Sequence, residues 1–107
     1  MTQEEKQLLL KDLCARLPYK VVVTDGVEDY LLTSPFLYRY IEMGCRPYLR
    51  PMSSMSEEEK TEYFDMHVTG IDSWYIVDWL NKRYLDYHYF ISKGLALEAP
   101  EDMYKTE

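Results

Sequence analysis

The stretch from Ile71 to Leu97 constrains the fold most strongly, because it is the most aromatic part of the chain. It holds both tryptophans and four of the 11 tyrosines. A packed aromatic side chain buries about 150–250 Å², so this stretch is expected to organise the core. Helical spacing of its apolar residues predicts an amphipathic helix with Asn81 facing water, then a second helical turn that Gly94 ends. The predicted inner stripe of the helix comprises Ile76, Val77, Leu80 and Tyr84.

Chain length and charge limit the classes of fold and partner. A chain of 107 residues is expected to form a single domain. The net charge of −7 lies in the second half, because residues 1–52 are balanced and residues 53–107 carry the whole acidic excess. An acidic surface repels a phosphate backbone, so double-stranded nucleic acid is not expected as a partner.

The cysteines and the N-terminal segment indicate a reducing compartment. Cys14 and Cys45 form no C-x-x-C pattern and are too few for a disulfide framework, so both are expected to be reduced. The N-terminal residues are charged, and no window of the sequence matches a signal peptide or a membrane span. The cytoplasm is therefore the expected location.

A helix is predicted at the start of the chain. Thr2 and Glu5 form a capping box, and leucines then recur at helical spacing. Pro18 is expected to stop this helix near Arg16 or Leu17, because the residue before a proline avoids helical geometry.

A β-hairpin is predicted for residues 19–32. Three consecutive valines favour extended backbone, and Asp25-Gly26 suits a two-residue turn with positive φ. With that turn Val23 faces Glu28, and one side of the hairpin is apolar apart from its tip. The apolar side is predicted to comprise Tyr19, Val21, Val23, Tyr30 and Leu32.

The middle of the chain is interpreted as a short helix followed by an extended strap. Residues 35–43 fit a helix capped by Ser34, whereas their alternating aromatic residues also fit a strand; the helix is favoured. Arg46 and Arg50 precede prolines, so both are expected to be extended in a semi-rigid strap that crosses the domain.

A second capped helix is predicted after the strap. Ser56 and Glu59 form another capping box, and the helix is expected to run to about Met66 with Tyr63 and Phe64 on its buried side.

The predicted fold class is α+β, with a small antiparallel hairpin sheet packed against three to four helices. The single domain spans residues 1–107, with a frayed tail at about 101–107. A short strand near Leu95 to Leu97 could also pair with the sheet.

Three segments resemble a known family: DLCARLPY (12–19), PYLRPMSSMSEEEK (47–60) and DYHYFISKGLALEAPEDMY (86–104). They are similar to blocks shared by small uncharacterised proteins of gut Bacteroidales bacteria and their phages or mobile elements. Lys20 stands where that family usually has a glycine, and His88-Tyr89 stand where it usually has Arg-Gly. The resemblance implies a phage or mobile-element origin and assigns no activity.

No arrangement of residues predicts catalysis. His67 and His88 are the two histidines, and their neighbouring carboxylates lack the spacing of metal ligands on a helix face. Cys14 lies in a helical stripe and not at a helix N-terminus, so no feature activates its thiol. The usual nucleotide-binding, metalloprotease and hydrolase motifs are not found. The chain is therefore expected to be a non-enzyme without metal or cofactor.

Two binding functions remain open. The favoured one is a protein-interaction module, which could be a homodimer, because Tyr, Trp, Met and Arg are enriched in interface cores. Its predicted protein-binding residues are Trp74, Trp79, Tyr87, Tyr89, Tyr48 and Arg50.

The alternative function is binding of single-stranded nucleic acid, because aromatic and guanidinium planes interleave in residues 38–50. The predicted nucleic-acid-binding residues are Tyr38, Arg39, Tyr40, Arg46, Tyr48 and Arg50.

Overall fold

The computed structural model of the chain describes residues 1–33, 35 and 37–104. Within these residues it confirms the α+β class, because helices pack with a four-stranded sheet. The helices are α1 (Gln3–Arg16), α2 (Leu37–Glu42), α3 (Glu57–Val68) and α4 (Ser73–Lys82). The strands are β1 (Val22–Thr24), β2 (Asp29–Leu31), β3 (Arg46–Leu49) and β4 (Leu97–Glu98).

The first helix, α1, begins and ends where the sequence predicts. The Thr2 hydroxyl accepts the Glu5 N–H at 3.1 Å, and the Glu5 carboxylate accepts the Thr2 N–H at 2.7 Å. The helix ends at Arg16, ahead of a 3₁₀ turn that contains the proline. Leu9 and Leu13 of its leucine stripe are buried in the core.

Strands β1 and β2 form the predicted hairpin, but the predicted register is wrong. Val23 pairs with Tyr30 and not with Glu28. The turn lies one residue later than expected, because the Asp25 carboxylate accepts the N–H groups two and three residues beyond it, each at 2.8 Å. Gly26, with φ of 98°, occupies the first central position. The shift preserves which side of the hairpin is buried, and that side includes Val21, Val23 and Leu32.

Residues 46–49, which were expected to form a strap across the domain, form strand β3 of the sheet instead. The strand order is β2-β1-β3-β4, so β3 lies inside, antiparallel to β1 and parallel to β4. Arg46 is extended as predicted. Pro47 cannot donate to a ladder, and it is tolerated here because the β1–β3 pairing ends at the Val23–Pro47 pair. The predicted short strand near residue 97 is confirmed as β4, whose Leu97 pairs with Tyr48.

Helices α2 and α3 lie in the middle of the chain, where the sequence predicts two helices. Residues 37–42 form the helix α2, which confirms the helical interpretation, whereas the proposed cap Ser34 lies outside the described residues. The third helix, α3, has the predicted Ser56 capping box and extends to Val68. Phe64 was expected on its buried side, and this is wrong because the Phe64 ring is exposed.

The main core does not lie under α4, as the aromatic stretch led us to expect. It is built by α1, the hairpin, α2, β3 and the residues just before β4. Its buried members are Leu9, Leu13, Val21, Val23, Leu32, Leu37, Ile41, Cys45, Leu49, Phe90, Leu95 and Ala96. A second, smaller cluster joins α3 and α4, and its buried members are Met66, Trp79, Leu80 and Leu85.

The inward face of α4 differs from the predicted stripe. Val77 is exposed, and Asn81, which was expected to face water, is buried. The Asn81 side chain is accommodated because its oxygen accepts a hydrogen bond from the Tyr87 hydroxyl at 2.8 Å. The predicted second helical turn is a series of turns instead, in which the Asp86 carboxylate accepts the N–H groups of Phe90 and the next residue.

The C-terminal segment follows the sheet as far as Tyr104, where fraying was expected from about residue 101. The Ala99 N–H donates to the Leu49 carbonyl at 2.8 Å. The Tyr104 ring stacks on Tyr84, with ring centroids 3.7 Å apart. These contacts fasten the segment to β3 and to the chain that follows α4.

Candidate interaction surface

A buried ion pair joins α1 to the chain after α4. The Arg16 guanidinium donates to the Asp12 carboxylate at 2.7 and 3.2 Å, and both side chains are fully buried. It also donates to the Leu85 carbonyl at 2.7 Å, whereas its Nη1 has no hydrogen-bond partner among the described residues. The His88 ring nitrogen Nδ1 lies 2.8 Å from Asp12. This cluster crosslinks two parts of the fold that are more than 60 residues apart in sequence.

The Asp12–His88 contact has the geometry of an acid–histidine pair, but its described surroundings supply no nucleophile. The further contacts of His88 are with the rings of Tyr87 and Phe90. An acyl-transfer site requires a hydroxyl or thiol bonded to the imidazole. The other histidine, His67, is bonded to the carbonyl of its own helix at 2.8 Å. The bonds of Asp12 and Arg16 to residues 85 and 88 hold α1 against the chain that follows α4.

Arg50 lies at a hub that connects β3 to the start of α3. Its guanidinium donates to the Glu59 carboxylate at 2.8 and 3.1 Å and to the Arg83 carbonyl at 3.2 Å. The Arg50 hydrogen bonds hold the pKa of Glu59 below its usual range. Arg50 was predicted to contact a protein or a nucleic acid, and the structure instead uses its donors inside the chain. Tyr48, predicted for the same two roles, is half-buried with its hydroxyl 3.4 Å from Asp29.

The remaining predicted protein-binding residues divide into exposed and buried pairs. Trp74 and Tyr89 are exposed, so their rings are available to a partner. Trp79 is only 4% exposed, and its indole N–H donates to Glu62 at 3.0 Å. Tyr87 is half-buried against the Arg16 guanidinium. Trp79 and Tyr87 therefore support the fold and offer little contact surface.

The residues predicted to bind nucleic acid are distributed over two elements. Tyr38 and Arg39 are exposed on α2. Tyr40, on the same helix, stacks on Tyr30 with ring centroids 5.6 Å apart. Arg46 lies in β3 and is half-buried. Of this predicted set, Tyr38 and Arg39 are therefore the residues with the most accessible aromatic and guanidinium groups.

A run of exposed apolar side chains occupies the outer side of α3, the following loop and the start of α4. These residues are called the α3–α4 face: Phe64 (67% exposed), Val68 (67%), Ile71 (42%), Trp74 (68%) and Tyr75 (48%). A protein without a partner rarely exposes this many large apolar residues in one region. The face is therefore the strongest candidate contact surface among the described residues.

Local structure places four of these side chains in two pairs, one on α3 and one at the start of α4. Phe64 and Val68 are four residues apart on α3, so they share one side of the helix. Trp74 and Tyr75 contact each other edge to face, with ring centroids 6.0 Å apart. The Trp74 indole N–H donates to the Asp72 carboxylate at 3.3 Å, which orients the exposed ring.

A groove of 670 Å³ runs along α3 beside this face. Its lining residues are Glu57, Glu58, Thr61, Glu62, Asp65, Met66, Thr69, Ile71 and Tyr75. Four of them are carboxylates, and no lysine or arginine is among the described residues that line it. Because the lining combines apolar side chains with four carboxylates, the groove suits a ligand that is both apolar and cationic.

Two of the groove's four carboxylates are already paired. Glu57 contacts the exposed Lys60 at 3.4 Å, and Glu62 contacts Arg83 at 3.7 Å. Glu58 and Asp65 have no ion pair within the described part of the chain. The negative charge of the groove edge is therefore only partly compensated by the chain itself.

The α3–α4 face was missed because a single buried side was assumed for α3. The apolar residues of that helix lie on two sides: Tyr63 and Met66 point inward, whereas Phe64 and Val68 point outward. The four-residue spacing of Phe64 and Val68 was visible in the sequence. Because Tyr63 and Met66 already supply an inner side, the helix does not need this second apolar pair for packing.

A second groove, of 1040 Å³, lies between the Arg50 hub and the C-terminal segment. Its basic groups are engaged, because Arg50 is bonded to Glu59 and Lys82 pairs with Asp78 at 3.4 Å. Arg83 stacks over the Trp79 ring at 4.0 Å. This groove offers no uncommitted cation among the described residues, so we assign it no ligand.

Residues 1–33, 35 and 37–104 contain no group of three or more His, Cys, Asp or Glu side chains placed to hold a metal ion. No helix in the same residues combines the length and apolarity needed to cross a membrane.

Comparison with known proteins gives no match: no protein-family model fits the chain, and no curated protein or solved structure is significantly similar to it.

Proposed function

We propose that the protein is a non-catalytic protein-interaction module that binds its partner through the α3–α4 face. The observation that carries this proposal is the exposure of Phe64, Val68 and Trp74 on adjoining helices. Burying apolar surface contributes roughly 25 cal/mol per Å², so covering such rings is favourable. Trp74 is the expected energetic centre, because tryptophan is enriched among the residues that dominate interface affinity.

The proposal includes a phage or mobile-element origin and a location in the cytoplasm. The resemblance to the Bacteroidales family gains support from the backbone at its two departures. Lys20 and Tyr89 have φ of 57° and 60°, and these are the positions where the family usually has glycine. Glycine adopts positive φ without the steric penalty that other residues meet, so the family's glycines suit this backbone.

Replacement of face residues tests the proposed function. The variant Phe64→Ala/Trp74→Ala removes two exposed rings, and Tyr38→Ala/Leu31→Ala removes two other large apolar side chains that are more than half exposed. The wild-type protein is used to capture and identify partners from the native host. Each partner is then purified, and its binding to the wild type and to each variant is titrated. The face variant is expected to weaken binding at least about tenfold while the control binds normally. Equal binding by both variants would remove the α3–α4 face from consideration.

Binding of single-stranded nucleic acid is the second candidate, and less supports it. Tyr38 and Arg39 are both exposed on α2, so an aromatic ring and a guanidinium group are accessible to a single strand. Fluorescence polarisation with labelled single-stranded RNA at about 50 mM salt tests this function, because such binding is strongest at low salt. Absence of binding under these conditions would exclude it.

A further inference from the structure

The groove beside the α3–α4 face has features that identify the chemistry of its occupant. Part of its lining is apolar, since Met66, Ile71 and Tyr75 contribute to it. The same lining carries the carboxylates of Glu58 and Asp65, which lack ion pairs in the described chain. We propose that the groove binds a cationic amphipathic helix of a partner protein; this inference rests on the proposed interaction function.

The shape of the groove favours a helix as the bound segment. The groove runs along α3, which has 12 residues and is therefore about 18 Å long. A helix of roughly three turns lying beside α3 would place apolar residues at every third or fourth position over Met66 and Tyr75. Phe64 and Val68 then flank it on the outer side. This is the helix-in-groove mode, in which one apolar stripe supplies the anchoring side chains.

The charge of the groove favours lysine and arginine on the flanks of that helix. Glu57, Glu58, Glu62 and Asp65 all line the groove, and no basic residue does so among the described residues. A partner with flanking cations gains Coulomb attraction and a faster association rate, and both gains decrease as salt increases. An acidic or neutral helix gains neither.

A second copy of this chain fits the groove poorly. A two-fold contact through the face would set the same carboxylates against one another, and like charges across an interface are unfavourable. The half of the chain that contains the face carries the whole net charge of −7. An anionic membrane surface is disfavoured for the same electrostatic reason. The inference therefore commits to a basic partner protein.

Synthetic peptides test the inference without knowledge of the natural partner. The probe is a labelled Lys/Leu amphipathic helix of about 18 residues, long enough to cover α3. Its controls are a Glu/Leu helix of the same pattern and a Lys/Leu peptide with the same composition in scrambled order. Binding is measured by fluorescence polarisation at about 50 and about 300 mM salt.

The inference predicts that the Lys/Leu helix binds and that both control peptides bind at least about tenfold more weakly. Glu58→Gln/Asp65→Asn and the higher salt concentration should each weaken binding several-fold, whereas Glu98→Gln/Glu101→Gln, which removes two exposed carboxylates elsewhere, should not. Equal binding of the acidic and basic helices, or of the scrambled peptide, would overturn it. So would a wild-type dimer in sedimentation that Phe64→Ala/Trp74→Ala abolishes, because the occupant would then be a second copy.

Failure of this inference is distinguishable from failure of the proposed function. If the basic helix does not bind but the captured partner still requires Phe64 and Trp74, the face is an interface and the charge class assigned to the partner is wrong. If the basic helix does not bind and the captured partner does not respond to Phe64→Ala/Trp74→Ala, both proposals are wrong.

Discussion

The hydroxyl of Tyr104 donates a hydrogen bond of 2.7 Å to the backbone carbonyl oxygen of Tyr48. The same hydroxyl accepts the N–H of Val22 at 3.0 Å. It therefore bridges β1 and β3 immediately beyond Pro47, where the backbone ladder between these strands ends. Burial raises the pKa of Tyr104, so the hydroxyl remains protonated and able to donate well above neutral pH.

Replacement of Tyr104 by phenylalanine should destabilise the protein by about 1–3 kcal/mol, because a partly buried N–H and a partly buried carbonyl lose their shared partner. Urea unfolding followed by tryptophan fluorescence measures the change. Tyr38→Phe, which removes an exposed hydroxyl on α2, is the matched control and should change stability by less than about 0.5 kcal/mol. Similar stabilities for Tyr104→Phe and wild type would show that the bridge is not maintained in solution.

Glycine at Lys20 should stabilise the chain by roughly 0.5–1 kcal/mol. The left-handed backbone of this residue carries a steric penalty of about 1–2 kcal/mol, and glycine avoids it at a smaller entropic loss. The same argument applies to the exposed Tyr89. Thermal unfolding followed by circular dichroism is the measurement.

Tyr84→Gly provides the contrasting variant for these glycine substitutions. Tyr84 also has a positive φ, of 60°, but its ring stacks on Tyr104 and its hydroxyl donates to the Tyr19 carbonyl. Loss of these contacts should outweigh the relief of strain, so this variant should be less stable than wild type. A destabilised Lys20→Gly protein would contradict the backbone argument.

The buried Asp12–Arg16 pair should show strong coupling in a double-mutant cycle. Arg16→Met leaves the Asp12 carboxylate buried with His88 as its one remaining partner among the described residues, which should destabilise the protein by about 3–5 kcal/mol. Asp12→Leu/Arg16→Met should lose less than the sum of the single variants, because no buried charge is left uncompensated.

The exposed Lys60–Glu57 pair on α3 is the reference for this cycle. Exposed pairs of this kind contribute about 0.2–1 kcal/mol, so Lys60→Ala should have a small effect. Additive losses at Asp12 and Arg16 would show that the two buried side chains do not depend on each other.

Acid should weaken the Arg50–Glu59 ion pair, which connects the end of β3 to α3. The pKa of Glu59 is lowered in the folded protein, so the carboxylate stabilises the fold above its unfolded pKa of about 4.3. That contribution is lost as the pH falls through the lower, folded pKa. The difference in unfolding free energy between wild type and Glu59→Gln should therefore be largest near neutral pH and shrink below about pH 4.

Urea midpoints of the Glu59→Gln protein across this pH range test the prediction. Glu101→Gln, which removes an exposed carboxylate, controls for the loss of one negative charge. A constant difference between wild type and Glu59→Gln at every pH would mean that the Arg50–Glu59 contact does not depend on the charge of Glu59.

Local signals in the sequence predicted the ends of elements well. The capping boxes at Thr2 and Ser56 depend on residues three positions apart, and both form as predicted. The hairpin strands and their buried side were also predicted, because alternation along a strand is a local pattern. The register was missed because the Asp25 side chain accepts two backbone N–H groups and so places the turn one residue later. The alternation of apolar residues along the strands does not report this bonding.

Long-range features could not be predicted from these local patterns. Whether residues 46–49 form a strap or a strand depends on β1 and β4, which lie about 20 and 50 residues away in the sequence and supply the pairing. Burial of the Asp12–Arg16 pair depends on the distant Leu85 carbonyl, which accepts a hydrogen bond from Arg16. At the candidate surface, Trp74 was predicted, whereas Phe64 was placed inside because its exposure depends on how α3 packs against α4.

The parallel pairing of β4 with β3 has a consequence for biosynthesis. The ribosome completes β3 long before it makes β4, so the inner strand waits with one edge open while about 50 further residues are added. The Leu49 carbonyl finds its partner only when Ala99 has emerged, and the Tyr104 bridge forms later still. A nascent chain stalled before this point would present an unpaired strand to other stalled copies, and translational pausing would then favour aggregation.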